Sequence, residues 1–203
     1  MPKPVFLVLG AGRKQSPDLY TLRSSDGTKM SARECEFLTL DMNPHVGPSL
    51  VCTLGLDRIP LDDDTVDAVV AMHVLEHIGQ QGRLDEWIYF WEELYRVMKG
   101  GATLQFECPH SSSVWAWADP THTRAINQYT FLYLNQHSYT KEGSAIPAYR
   151  FKADFAFGGL ANGKPAIELV PDHTNPEVAE LEPISFIRGI LVARKPFKGW
   201  WEK

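Results

Sequence analysis

Cysteine is scarce in this chain. Cys35, Cys52 and Cys108 are the only three in 203 residues, an odd number with no CxxC or Cys/His ligand spacing. That excludes a disulfide framework and a structural zinc motif, and it fits reduced thiols in a cytoplasmic protein. Long apolar runs are missing as well. None approaches the roughly 20 residues a membrane helix needs. The apolar stretch at Val5–Leu9 stops in Gly-Ala-Gly rather than at a cleavage site, so a first buried strand is expected there instead of a secretory signal. Positive charge is not in excess: 20 Lys and Arg face 25 Asp and Glu, a net charge of −5. A dedicated nucleic-acid binder usually carries a basic face, so nucleic acid is an unlikely partner by composition. Repeats, low-complexity tracts and interdomain linkers are absent too, and a single domain over residues 1–203 is expected. With 44% hydrophobic and 22% charged residues, such a domain can bury an ordinary core.

What is present is a series of short apolar runs that end in polar groups. Val5–Leu9 and Val66–Met72 lack alternation, which suits strands covered on both faces. Phe37–Leu40 ends at Asp41, and Leu50–Cys52 and Ala102–Cys108 read as further strands. SSDGT at 24–28 is a turn signal between Tyr20–Arg23 and Lys29–Met30, the pattern of a small hairpin. The best helix runs over about 83–99, with Leu84, Trp87, Ile88, Trp91, Leu94, Tyr95 and Met98 at helical spacing. Asp85 and Glu86 sit in its first turn and Arg96 and Lys99 in its last, Glu92 and Arg96 form an i,i+4 pair, and Gly100 is placed to cap it. Ala166–Val170 and Phe186–Ala193 are expected as antiparallel partners at one edge of the sheet. Residues 110–163, aromatic and then glycine-rich, read as an insertion or lid on the substrate side.

Four motifs in order carry a resemblance: LGAG (9–12), LTLDMNP (38–44), IPLDDDTVDAVVAMHVLEHI (59–78) and ELYRVMKGGATLQFECP (93–109). Together they resemble the class I methyltransferases that use S-adenosylmethionine, and within them the small type 11 methyltransferase-like proteins. DPTHTR at 119–124 also resembles a segment that some of these carry after the fifth strand. The resemblance implies an α/β fold: a Rossmann-like, mostly parallel sheet with an antiparallel C-terminal edge strand and helices on both faces. Arg13-Lys14-Gln15 follows the glycine turn, so the third glycine is absent, and the first helix would be short or absent, because residues 13–33 are polar and carry no helical stripe. It implies S-adenosyl-L-methionine as cofactor and transfer of its methyl group to the oxygen or nitrogen of a small molecule or saccharide.

The expected cofactor residues are Gly10, Ala11 and Gly12 in the turn, Asp41 and Met42 after the second strand, Leu56 and Asp57 after the third, and His73 and Val74 after the fourth. Glycine lets backbone approach the ligand closely, and an acid ending the second strand can accept two ribose hydroxyls. Asp41 lies 29 residues beyond Gly12, against about 20 in a dinucleotide-type unit. Methyl transfer from a sulfonium needs alignment and, for a protonated acceptor, a base. Histidine titrates near neutrality, so His110, His122 and His77 are the catalytic candidates. Trp115, Asp119 and Arg124 are candidates for substrate binding. No metal is expected, since no spacing rule supports ligation by His110, Asp119 and His122.

Two other classes stay open on the sequence. One is a catalytically inactive, methyltransferase-like module for binding or assembly. The other is a nicotinamide-dependent oxidoreductase, disfavoured because the third glycine that brings a helix N-terminus to a pyrophosphate is missing. A base methyltransferase is disfavoured because (D/N)PP(Y/F) is absent and Cys108-Pro109 reverses the Pro-Cys order.

Overall fold

A computed structural model describes residues 2–23, 28–140, 149, 152–158, 167–171 and 184–198. Among the described residues, ten strands lie in chain order: β1 (Val5–Leu9), β2 (Thr21–Arg23), β3 (Lys29–Ser31), β4 (Glu36–Asp41), β5 (Leu50–Val51), β6 (Val66–Met72), β7 (Met98–Pro109), β8 (Phe155–Phe157), β9 (Ile167–Val170) and β10 (Phe186–Ala193). Three α-helices are described: α1 (Asp85–Val97), α2 (Trp115–Ala118) and α3 (Gln136–Thr140).

The main sheet runs β5-β4-β1-β6-β7-β10, with β8 and β9 both on the outer side of β10. The β5 to β7 part is parallel, with Leu7 level with Leu38 on β4 and Val69 on β6. β10 enters antiparallel, placing Gly189 opposite Phe106. The expected antiparallel pair of the last two strands is present, but β10 lies inside the sheet and β9 and β8 form its edge. The β8 segment falls within the stretch read from sequence as an insertion. The chain leaves β1 toward β4 and β5, then crosses back to β6. The order therefore reverses beside β1, where open α/β sheets bind ligands.

The two faces are covered differently. α1 lays Trp87, Phe90, Trp91, Leu94 and Tyr95 on one face, against Leu7, Val69, Ala71, Leu104 and Phe106. On the other face, Phe6, Val8, Ala68 and Val70 pack under Leu22, Ala32, Cys35, Tyr20 and Phe37. The expected hairpin, β2 against β3, thus takes the place of a helix after β1, and the chain between Gly12 and β2 forms only a short 3-10 turn at Pro17–Leu19.

α1 ends earlier than the glycine pair implies. Met98 is wholly buried and pairs with Val66, so strand pairing wins and β7 begins at once. Arg96 does not pair with Glu92. It binds Glu93 (2.7 Å), Asp63 (2.8 Å) and the carbonyls of Ile59 and Leu61. Glu92 instead accepts the Lys152 N–H at 2.7 Å. Among the described residues, no helix is long and apolar enough to cross a membrane.

Candidate active site

The carboxyl ends of β1, β4 and β6 border a cleft of about 280 Å³ lined by Gly10, Leu40, Asp41, Met42, Cys52, Thr53, Leu54, His73, Val74, His77 and Ile78. Gly10 has φ +57° and faces Val74. A Cβ at Gly10 would lie 2.5 Å from the Val74 Cγ2, so only glycine lets the turn close over the cleft. Asp41 Oδ2 accepts the Gly12 N–H at 2.8 Å, and Oδ1 accepts the Asn43 N–H at 2.9 Å. The carboxylate thus fixes the glycine turn from across the sheet. Each oxygen keeps a further lone pair for a ligand.

The other sequence-predicted cofactor residues separate. Met42, His73 and Val74 line the cleft. Ala11 is buried in the hairpin-side core. Leu56 is exposed, and Asp57 caps the Thr53 N–H at 2.8 Å; neither lines the cleft. Cys52, Thr53, Leu54 and Ile78 take up that wall. The sequence signal for them was only that they flank the short β5 and the LEH turn.

A second, larger cavity of about 640 Å³ is lined by His73, Pro109, Trp115, Ala118, Asp119, Pro120, His122 and Phe186. His73 belongs to both. It ends β6 in the left-handed region, φ 55°, a conformation that is costly for a side-chain-bearing residue. Its N–H donates to the Glu107 carbonyl at 2.8 Å. Its ring stands edge-on to Phe186 and between two carboxylates, Nε2 3.5 Å from Glu107 and Nδ1 3.5 Å from Glu76. Glu107 and then Glu76 stabilise the imidazolium, and they raise its pKa to about 9. Glu107 also pairs with Arg188 of β10, and its own carboxyl is held below the usual range, chiefly by His73.

The catalytic candidates are likewise sorted. His110 is buried with both ring nitrogens engaged, Nδ1 with Ser112 Oγ at 2.7 Å and Nε2 with Gln128 Oε1 at 3.1 Å, and it lines neither cavity. His77 faces the smaller cleft and His122 the larger cavity, and their rings stand 4.8 Å apart. Trp115 and Asp119, the other substrate candidates, line the larger cavity. Hydrogen bonds from Thr121 hold the Asp119 carboxyl below its ordinary range. Arg124 lies elsewhere: it donates to the carbonyls of Ile78, Gln80 and Arg83 and stacks 4.3 Å over Trp87. It clamps the loop ahead of α1. The cysteines are buried and unpaired. Burial pushes the Cys52 thiol up to about 11 and Cys108 well above its ordinary value, so neither is a nucleophile at neutral pH.

A strand order reversing beside β1, with a glycine turn and an acid meeting at the reversal, is the place where open α/β sheets seat a nucleotide-like ligand. The model of the methyltransferase domain matches residues 19–106, 88 of the 203 residues. Solved structures agree on the fold. A chain of the complex containing the Trm112 methyltransferase activator of Haloferax volcanii is 14% identical, with TM-score 0.58, over 95% of this chain and 84% of that one. A SAM-dependent methyltransferase of Archaeoglobus fulgidus is 16% identical, TM-score 0.53, over 95% and 86%. The 1,6-didemethyltoxoflavin-N1-methyltransferase of Burkholderia thailandensis is 10% identical, TM-score 0.52, over 96% and 72%. A search of curated proteins finds no match to this sequence.

Proposed function

We propose that the chain transfers a methyl group from S-adenosylmethionine, held in the smaller cleft, to an oxygen or nitrogen of a small molecule or saccharide held in the larger cavity. The observation that carries this is the shared wall: His73 lines both spaces. The cleft suits the cofactor. Asp41 offers free lone pairs to ribose hydroxyls, the missing Cβ of Gly10 leaves room for close approach, and Leu40, Cys52, Leu54, Val74 and Ile78 give an apolar seat for a base. When bound, the cofactor supplies a methyl group on a positively charged sulfur.

The chain's own part is mainly alignment. Holding donor and acceptor in line replaces an encounter in solution, and such positioning can be worth about 7–11 kcal/mol. Trp115, Phe186 and Pro109 form an apolar wall for the acceptor. His122 and Asp119, with Nε2 and Oδ2 3.9 Å apart, are the titratable pair on that side that takes its proton. His110, an expected base, plays no such part, since its nitrogens are tied to Ser112 and Gln128. A fold neighbour that holds a small heterocycle beside S-adenosylhomocysteine supports a small acceptor. The chain after Gly12 enters a 3-10 turn rather than an α-helix, which gives a nicotinamide pyrophosphate no helix N-terminus to rest on. We place the reaction in the cytoplasm, on a single domain in which Trp115, Asp119 and His122 of the 110–163 stretch shape the acceptor side; the parts of that stretch at 141–148, 150–151 and 159–163 lie outside the described residues.

The test is turnover of S-adenosylmethionine to S-adenosylhomocysteine across a panel of sugar hydroxyls, phenols and small amines. Acceptor-dependent turnover, with kcat lowered more than about tenfold in Asp119→Asn or His122→Gln, is the expected result. Binding of S-adenosylhomocysteine with no turnover on any acceptor would overturn the acceptor assignment.

A further inference from the structure

Two stretches far apart in sequence, LEH at 75–77 and DPTHTR at 119–124, are stapled together. The Glu76 carbonyl accepts the N–H groups of Thr123 at 2.9 Å and Arg124 at 3.1 Å. This lays His122 over the Glu76 side chain. Glu76 is 1% exposed, and both carboxylate oxygens are buried without a hydrogen-bond partner. The nearest cationic groups stand off: His73 Nδ1 at 3.5 Å and His122 Nε2 at 4.0 Å. His122 Nδ1 is buried and unpartnered too. A carboxylate oxygen taken out of water and left without a partner is costly. His73 offsets part of the Glu76 charge, but it and His122 both stand off Oε1, and Oε2 is left buried with no polar partner, an arrangement that a bound cation would complete.

We propose that Glu76, His77 and His122 form a binding site for one divalent transition-metal ion, Zn²⁺ or a close analogue, in the wall between the two cavities. One donor atom from each residue lies within 4.8 Å of the other two. A tetrahedral ion with bonds of about 2.0–2.1 Å holds its ligands roughly 3.3 Å apart, so a small closing movement completes the site. Two imidazoles and one carboxylate are a set such ions accept, and three protein ligands leave a position open. The tautomer of His77 is already arranged. Its Nδ1 lies 3.1 Å from the Thr121 carbonyl, to which it donates, leaving the Nε2 lone pair free to ligate. Asp119 Oδ1 in turn accepts the Thr121 N–H and hydroxyl, fixing the residue that orients His77.

His122 and His77 line the two cavities, so the ion would border both. If the chain transfers methyl groups as proposed above, an acceptor hydroxyl bound to the ion would lose its proton more easily to Asp119, with the lone pair of His122 committed to the metal.

The experiment uses the full chain without an affinity tag, stripped with chelator and dialysed against Zn²⁺ alone, with no cofactor or acceptor present. The expected result is one Zn²⁺ per chain, with affinity falling more than about tenfold in Glu76→Gln and in His122→Gln. Asp41→Ala, which disables the cofactor cleft, keeps the metal, so loss of the methyl-transfer reading and loss of the metal site are told apart. Should the two ligand variants fail to fold, the unaltered protein with Co²⁺ decides. Visible bands of a four- or five-coordinate ion support the site, and the spectrum of the hexaaqua ion overturns it. Substoichiometric Zn²⁺, or equal affinity in both ligand variants, overturns it as well.

Discussion

Asp41 carries two loads, holding the Gly12 turn and facing the cleft. Asp41→Ala removes a charged acceptor, and S-adenosylhomocysteine affinity by calorimetry is expected to fall more than about tenfold. Unchanged affinity would refute the ribose assignment. Gly10→Ala meets both a left-handed φ and Val74 at 2.5 Å, and the same measurement is expected to show loss of binding. His73 supplies the pH signature. Its pKa in the fold, about 9, lies above the ordinary 6.5 because Glu107 and Glu76 favour the imidazolium. A raised value means that the stabilisation is complete below about pH 6.5 and fades as pH rises through about 9. In metal-free protein, the melting temperature difference between the native chain and His73→Gln is expected to narrow across that window. A difference independent of pH would contradict the pairing.

The hairpin of β2 and β3 stands where a helix would pack. Leu22 is fully buried against the β1–β6 face, so Leu22→Ala is expected to cost about 2–5 kcal/mol in urea unfolding. A cost below 1 kcal/mol would show that the hairpin is an ornament. Strands were the most legible elements in the sequence, since VFLVL and VDAVVAM can only be buried on both faces. The hairpin was legible from its turn residues. The end of α1 was not, because Gly100-Gly101 signals a cap while Met98 already pairs with Val66. The place of β10 inside the sheet was not legible either, since an apolar run does not say how many neighbours it has. Arg96 is the side chain whose role changed most. It ties the loop at 59–63 to α1 through Glu93, and Arg96→Ala is expected to cost about 3 kcal/mol by leaving that carboxylate unpaired.

For the whole molecule, the site was half readable. Gly10, Asp41 and His73 end strands, and strand ends converge in a sheet of this order. Which loop residues join them depends on how the 110–124 stretch folds back, and that is written in long-range hydrogen bonds rather than in local pattern. Hence Arg124, read as a substrate residue, is a clamp on carbonyls, and Glu76, which no local pattern singles out, sits buried at the junction of two cavities. His110 is close in sequence to the site and tied away from it by Gln128.

The central claim is that one crevice, topped by the loops after β1, β4 and β6, seats the nucleoside and opens at His73 into the acceptor cavity. A crystal structure with S-adenosylhomocysteine tests it most directly. The ribose hydroxyls should lie within hydrogen-bond distance of Asp41, with the sulfur beside His73 and facing Trp115 and His122. Finding the nucleoside away from Asp41, or the sulfur on the far side of β6 from that cavity, would contradict it.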